Sequence, residues 1–551
     1  MKRLSVFICL LLGISVLTNA QSSATERPKL VVGIIVDQMR QEYLYRYYNR
    51  FGEGGFKRLM NNGFMLQNAH YNYVPTVTAA GHASVYTGTT PGIHGIIGND
   101  WFDKELKKRV YCVRDDSYST VGSASVAEGK MSPKQLLTTT ITDELKLATQ
   151  KRSKVIGISL KDRGAVLPVG HMADAAYWLD QLTGKFITST FYMLTLPTWV
   201  ENFNKIGLPE KYMTQVWTPI LPLNQYIESG TDASPYEAKL KGTEKSVFPY
   251  NLAAMKKTFG SYEALSYTPF GDAIVTEMAK ATIDGEKLGQ DEWTDFLSIS
   301  YSTPDKIGHE LGPNSVEIED IYIRLDKNLE NLFIKLDQSV GPQNYIVVLT
   351  SDHAIPDVPQ YMIDSKVPAG YLSGNNIKAR LSDYMNNYFP DKELILDVFN
   401  EQVFLNHEVF NEDPRKGGVD LLVTTELISN FLLKEKGIAN VFSKSLIRQG
   451  DFDEGGYKGM VIRGFHPKRS GDIAFILEPN WIEYGRVQGT DHGSPYTNDT
   501  HVPVLFYGKG IKPGRSVQYH SITDIAPTLS VMLKIKFPNG CTGQPIEELF
   551  D

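Results

Sequence analysis

The chain has 551 residues, 42% of them hydrophobic and 22% charged, with a formal net charge of −7. Such a composition belongs to a folded globular protein with a very large core or several domains, and it excludes a disordered or fibrous chain. No basic block stands out, and the short Lys151-Arg152-Ser153-Lys154 reads as a solvated face before a strand, so polymeric nucleic acid is not an expected partner.

The N-terminus reads as a cleaved secretory signal. Lys2 and Arg3 form a short basic region, Leu4–Leu17 is an apolar run, and Thr18-Asn19-Ala20 places small residues before a cut at Gln21. The run is too short to span a bilayer comfortably. Cys9 lies in its middle behind Phe7-Ile8, which does not fit a lipoprotein signal. Residues 1–20 are therefore expected to be a signal peptide and residues 21–551 a periplasmic or secreted domain of net charge −9, without membrane insertion. Two cysteines remain, Cys112 and Cys541. An oxidising compartment permits a disulfide between them, and two buried free thiols fit the sequence equally well.

In chain order, Lys29–Val36 (KLVVGIIV) is a first buried strand that stops at Asp37. In Val74–Ser84 the small residues after Thr78 permit a tight turn into a helix. The Thr78 hydroxyl then sits near a helix N-terminus, which favours a deprotonated oxygen and an incoming phosphate; taken alone, Thr78 reads as a helix cap and no more. Val155–Leu160 is a second buried run and stops at Lys161-Asp162-Arg163. Residues 190–265, rich in Pro, Tyr, Trp and Asn, interrupt the rhythm and read as an insertion. Phe296–Tyr301 stops shortly before Asp305-Lys306-Ile307-Gly308-His309, where an i, i+4 spacing puts Asp305 and His309 on one helical face. By itself such a pair is an ordinary surface feature. Glu317–Leu336 is an amphipathic helix with Ile318, Ile321, Leu325, Leu329, Leu332 and Leu336 in one stripe. Tyr345–Thr350 stops at Ser351-Asp352-His353. Residues 365–475 read as a second insertion, and the two insertions are expected to form a cap and rim. His492 lies in the loop Gly489–Ser494, before the strand His501–Tyr507.

Near-continuous apolar runs alternating with amphipathic helices predict an α/β fold with a mainly parallel central sheet flanked by helices. Ligands of such sheets bind beyond the carboxyl ends of the strands, where Asp37, Lys161, Arg163, Asp305, Asp352 and His353 all fall. Asp37, Asp305, His309, Asp352, His353 and His492 together offer three carboxylates and three imidazoles. Mixed oxygen and nitrogen ligation suits zinc, and three ligands for each of two ions leave positions open for an in-line phosphoryl transfer.

The stretches PKLVVGIIVDQMR, YVPTVTAAGHAS, GIHGIIGNDWFDKEL, GISLKDR, STPDKIGHELGPNS, LTSDHA, KRSGDI, DTHVPVLFYGKGIK and TDIAPTLSVML resemble the alkaline phosphatase superfamily, which includes nucleotide pyrophosphatases and phosphodiesterases. Most closely they are similar to its PafA-type (phosphate-irrepressible) periplasmic alkaline phosphatases. The resemblance implies two Zn²⁺ per chain and Thr78 as a nucleophile that becomes a transient phosphothreonine. It implies that Asp37, Asp352 and His353 hold the zinc that activates Thr78, and that Asp305, His309 and His492 hold the zinc at the leaving-group oxygen. It further implies that Asn99, Lys161 and Arg163 bind the phosphoryl oxygens. Ala354 departs from the Gly common in relatives after the Asp-His pair, which puts the geometry of that loop in question.

The two zinc ions would be neutralised by the three carboxylates and a Thr78 alkoxide. Lys161 and Arg163, two apart and pointing the same way if extended, would then match the two charges of a phosphate monoester. Small-molecule monoesters are thus the expected substrates and a monomer the expected state. A phosphodiesterase or nucleotide pyrophosphatase, and a catalytically dead envelope binding protein, remain as alternatives. Sulfatase chemistry is not expected, because neither Cys112-Val113-Arg114 nor Cys541-Thr542-Gly543 fits a C/S-x-P-x-R motif. His82 is expected to support the site by hydrogen bonding, and His501 to back it from behind.

Overall fold

The computed structural model describes residues 27–410 and 418–550; the expected signal segment lies outside them. The ten-stranded central sheet is built from β1 (Leu30–Val36), β2 (Phe64–His70), β3 (Thr120–Val121), β4 (Val155–Ser159), β5 (Ala175–Asp180), β6 (Lys185–Ser189), β7 (Asp295–Tyr301), β8 (Tyr345–Thr350), β9 (His501–Gly508) and β10 (Gly514–Ser521). Their spatial order is β10-β2-β9-β8-β1-β7-β4-β5-β6-β3. The four strands read from apolar runs, β8, β1, β7 and β4, are consecutive and mutually parallel. Every residue of these four strands is buried, as a sheet covered on both faces requires. β9 runs antiparallel to both β8 and β2, so the sheet is mixed at that side.

Register aligns the strand ends. Ile35 is level with Ser300 and with Thr350, and Ser300 is level with Ser159. Asp37, Lys161 and the Ser351-Asp352-His353 turn therefore leave the sheet at one edge, although far apart in sequence.

The helices that matter for the site are α1 (Thr78–Thr87), α2 (Asp162–Val169), α3 (Pro269–Gly285), α4 (Thr303–Leu311) and α5 (Val316–Ser339). α5 starts at Ser315, whose side chain accepts a hydrogen bond from the Ile318 amide at 3.3 Å, a standard N-cap. All six residues of its expected stripe are buried. Alternate residues of β1 feed two cores. Leu30, Val32, Ile34 and Val36 face the core that holds α3 and α5, while Val31 and Ile35 face the one that holds α1.

The second insertion has its own four-stranded antiparallel sheet (Ile395–Phe399, Gln402–Leu405, Ile473–Leu477 and Ile438–Ser443) and its own apolar core around Ile377, Leu381, Val403 and Ile428. It closes where Gly370–Leu372 pairs with Trp481–Glu483, so the unit runs past residue 475. The first insertion is not a separate unit of this kind. Val200, Phe203, Trp217, Tyr250 and Met255 belong to the main core beside α5, and Trp217 Nε1 donates to Asp320 at 2.7 Å.

Candidate active site

All six expected metal-ligating residues meet at the strand-end edge. Asp37 continues β1 by one residue, its amide donating to the Tyr301 carbonyl at 2.9 Å. Asp305 lies in the first turn of α4 and His309 one turn later, with His309 Nε2 3.1 Å from Asp305 Oδ1. His353 Nε2 is 3.5 Å from Asp37 Oδ1 and 3.7 Å from Asp352 Oδ2. His492 Nε2 is 3.7 Å from Asp305 Oδ1. Three groups bring their ligand atoms within 4.8 Å of one another: Asp37, Asp352 and His353; Asp305, His353 and His492; and His309, Asp491 and His492.

The histidines are oriented alike. Nδ1 of His353 lies 3.0 Å from the Ala354 carbonyl, that of His309 3.0 Å from the Thr490 carbonyl, and that of His492 2.7 Å from the Thr76 carbonyl. A carbonyl only accepts, so each Nδ1 carries a proton and each Nε2 is the atom turned toward the carboxylates, as in metal-binding imidazoles; burial acts to lower His309, but Asp305, 3.1 Å from its Nε2, outweighs it and raises the group to about 9. Asp37 Oδ1, Asp352 Oδ2 and His353 Nε2 are buried without a hydrogen-bond partner. Three orphaned buried ligand atoms around one point fit a cation, and their mixed chemistry fits zinc.

The charges agree with this use. Burial, with the neighbouring His492 imidazole, holds His353 well below the usual histidine range and so keeps it neutral. Burial, with Asp305 and Asp352 nearby, pushes Asp37 up to about 6. Burial also acts to raise Asp305, but Lys161 and His309 outweigh it and hold that carboxyl well below its usual range.

Thr78 is the first residue of α1 and is 2% exposed. The turn is pinned against the metal-capable loop by Gly81, where a Cβ would collide with the Asp352 backbone. The Ala79 amide donates to Asn99 Oδ1 at 2.9 Å, which fixes Asn99 beside Thr78 and leaves its Nδ2 as the free donor. Lys161 Nζ bridges Asp37 Oδ2 at 2.5 Å and Asp305 Oδ2 at 2.6 Å. Arg163 Nη1 donates to Tyr111 Oη at 3.1 Å, and its Nε is buried without a partner. Lys161 and Arg163 do not share an extended segment. Lys161 caps α2 and Arg163 sits in its first turn, so the helix, and not strand alternation, sets their directions.

The structure adds residues that the sequence reading left without a role. Gln38, at φ 68°, donates from its amide to Asp352 Oδ1 at 3.1 Å and from Nε2 to Asp305 Oδ1 at 2.9 Å. Asp491 Oδ1 lies 3.6 Å from His309 Nδ1. Asp499 Oδ2 accepts the amides of Gly493 at 3.0 Å and Ser494 at 2.6 Å, and its carbonyl accepts the Ala354 amide at 2.8 Å. It thereby joins the His492 loop to the His353 loop. Its only sequence signal is an acid just before β9. His82 behaves as expected, fully buried between Thr78 and Asp352. His501 does not back the site; it stacks on His70 at 4.5 Å and bonds the Gln67 carbonyl, because its position at the start of β9 turns it to the β2 seam. Ala354 is buried, and its backbone needs no positive φ, so the loop accepts its Cβ. Cys112 and Cys541 are both free.

Residues 31–501 match the family model described as type I phosphodiesterase / nucleotide pyrophosphatase. The chain is 43% identical over 547 residues to the alkaline phosphatase PafA of Elizabethkingia meningoseptica, covering 98% of each chain. It is 44% identical over 523 residues to the alkaline phosphatase PhoV of Synechococcus elongatus, covering 95% of this chain and 93% of that one. Its fold matches the crystal structure of wild-type alkaline phosphatase PafA with a TM-score of 0.91 at 43% identity, covering 95% of this chain and 99% of the other.

Proposed function

Because the chain belongs to the type I phosphodiesterase / nucleotide pyrophosphatase family of the alkaline phosphatase superfamily, we propose that it is a zinc-dependent alkaline phosphatase that hydrolyses phosphate monoesters through a phosphothreonine at Thr78. The observation that carries the reading is the run of three adjoining ligand groups, with orphaned buried atoms on Asp37, Asp352 and His353, set against the helix turn that begins at Thr78. The two relatives described above are named alkaline phosphatases.

Asp37, Asp352 and His353 would hold one Zn²⁺ and Asp305, His309 and His492 the other; when bound, such ions supply Lewis acidity to reacting oxygens. The Thr78 oxygen forms its bond to phosphorus as the bond to the departing alcohol breaks, and water then cleaves the phosphothreonine to release inorganic phosphate. Asn99 Nδ2 donates to one phosphoryl oxygen, its Oδ1 being occupied by Ala79. Lys161 and Arg163 meet the remaining charge, and a planar guanidinium suits phosphoryl oxygens. The reading includes export to the periplasm or beyond and action as a monomer. Among the described residues no helix is long and apolar enough to cross a membrane. The family description favours a phosphodiesterase or nucleotide pyrophosphatase as the second reading.

The test is turnover of an aryl phosphate monoester and its methyl diester by zinc-loaded mature protein, with Thr78→Ala and Thr78→Ser alongside. The expected result is preference for the monoester, loss with a strong chelator, retention of zinc but little activity in Thr78→Ala, and appreciable activity in Thr78→Ser. Acid quenching should trap label on Thr78. Full activity without metal, or label on another residue, overturns the mechanism; preference for the diester moves the assignment to the second reading.

A further inference from the structure

A cavity between the second insertion and the His492 loop carries negative charge with nothing to answer it. Its volume is about 60 Å³, with Phe465, Phe475, Leu477 and Trp481 in its apolar walls and Glu401, Glu483 and Asp499 in its polar ones. Among the described residues no Lys or Arg lines it. Asp499 is 0% exposed. Its Oδ2 holds the Gly493 and Ser494 amides, whereas its Oδ1 is buried without a hydrogen-bond partner, as is Oδ1 of Asn498, which also lines the cavity. Glu483 uses Oε1 on the Gly374 amide at 3.1 Å. A buried carboxylate oxygen with no donor beside it is costly. What the cavity lacks is a positively charged hydrogen-bond donor.

Glu401 is kept there against local preference. Ile395–Phe399 and Gln402–Leu405 are joined by the two-residue turn Asn400-Glu401, with φ of 50° and 52°. Two positive φ values mark a type I′ turn, whose second position glycine fills by preference. The turn is fastened on both sides: Asn400 Nδ2 donates to the Asp100 carbonyl at 3.0 Å, and the Glu401 carbonyl accepts the Phe475 amide at 2.9 Å. The turn itself has no need of a carboxylate, so the glutamate serves the cavity that it lines.

Size and walls select the ligand. Glu401, Glu483 and Asp499 are not among the groups whose ligand atoms gather within 4.8 Å of one another, and a bare metal ion gains nothing from aromatic walls. At roughly 10–15 Å³ for each water-sized group, the cavity takes about four to six non-hydrogen atoms. A primary ammonium on a short chain matches this. Its N–H groups make charge-assisted hydrogen bonds to carboxylates, and its carbons lie against aromatic faces that also favour a cation. We propose that the cavity binds a small primary ammonium, carried on a short alkyl or hydroxyalkyl chain, against Glu401 and Asp499. Asp499 also holds the residues that follow His492, and His492 itself lines the cavity. The bound amine therefore shares its anchor with the loop that presents a proposed zinc ligand.

Isothermal titration calorimetry of the zinc-loaded mature protein at neutral pH, with ethanolamine and propylamine, should show saturable binding. Ethylene glycol and propanol, alike in size but uncharged, should not bind. Glu401→Gln should weaken amine binding by about 10-fold or more. Glu401→Gly, which suits the positive φ, should keep or raise Tm and still lose the binding, so a damaged fold cannot imitate the result. The ammonium can come from the alcohol part of a phosphate ester or from a free amine. Ethanolamine that raises KM for an aryl phosphate shares space with substrate, and ethanolamine that leaves KM unchanged marks a separate amine site; either result keeps the cavity as the binding site. No binding by the wild type, equal binding of the glycol, or amine binding that survives in Glu401→Gln, as coordination to zinc would, overturns the proposal. Calorimetry reads the site without turnover, so its failure is distinct from failure of the phosphatase reading.

Discussion

His82 and Asp352, both fully buried, lie 3.2 Å apart between His82 Nδ1 and Asp352 Oδ2. The same Nδ1 is 2.8 Å from the Thr78 carbonyl, and His82 Nε2 is 2.9 Å from Ser300 Oγ. A carbonyl requires the proton on Nδ1, so Ser300 Oγ donates to Nε2, and one imidazole joins the start of α1, the Asp352 loop and β7. Outer groups of this kind commonly matter about 10–100-fold in activity or metal affinity. His82→Ala is accordingly expected to lower kcat by about that factor while KM changes less and zinc remains bound, as read by steady-state kinetics and metal analysis. Unchanged kcat would remove His82 from this positioning role.

Asp499 is the second such support. Its carboxylate holds the Gly493 and Ser494 amides directly after His492. Asp499→Ala leaves two amides without their acceptor, each worth about 1–3 kcal/mol when buried, and frees the loop that presents His492. The expected result is an enzyme that binds one zinc less tightly, by about 10–100-fold, with the other zinc little affected. Competition with a chromophoric chelator measures both. Two unaltered affinities would mean that the loop is held from elsewhere.

Zinc should stabilise the protein more as pH rises. In the metal-free fold Asp37 is raised from 3.8 to about 6, first by burial and then by Asp305 and Asp352. A carboxyl with a raised folded pKa contributes stability that is complete below about 3.8, its unfolded value, and lost as pH rises through about 6. Zinc needs the ionised form and competes with that proton. The zinc-induced rise in Tm is therefore expected to be larger near pH 8 than near pH 5, roughly above and below the raised Asp37 value of about 6. A rise that is equal at both would show that Asp37 gives up no proton when zinc binds.

The strand ends were legible because buried parallel strands need unbroken apolar runs, and the polar residues after each run must leave the sheet. Asp37, Asp352 and His353 came directly from that rule, and Asp305 with His309 from one helical turn. Directions set by backbone between strand and helix were not legible. Lys161 and Arg163 read as neighbours in an extended segment, whereas a helix begins between them. Gln38 and Asp499 act through amides and carboxylates of distant loops, and no local spacing marks such contacts. The first insertion read as part of a cap and rim because the segment that holds Trp217 and Tyr250 has little βα rhythm. Their partners Asp320 and Glu317 lie on α5, well beyond any pattern in the segment itself.

Selectivity between monoester and diester is expected to rest on Arg163 more cleanly than on Lys161. Lys161 Nζ already lies between Asp37 and Asp305, so its removal disturbs two proposed zinc ligands as well as the charge that meets substrate. Arg163 leans on Tyr111 and has no contact with either carboxylate. A charge-assisted hydrogen bond is worth about 1.5–3 kcal/mol, and about 1.4 kcal/mol is tenfold in rate. Arg163→Ala should therefore lower kcat/KM for an aryl phosphate monoester by roughly 10–150-fold. The methyl diester, which lacks the second negative charge and one non-bridging oxygen, should lose much less, and its ratio to the monoester should rise. Lys161→Ala/Arg163→Ala should lower the monoester rate further and also reduce the diester rate through the disturbed ligands. The measurement is kcat/KM for both substrates in the wild type and the two variants, with bound zinc determined in each. If Arg163→Ala costs both substrates the same factor, Arg163 holds the helix start in place without reading the second charge, and the diesterase assignment gains ground.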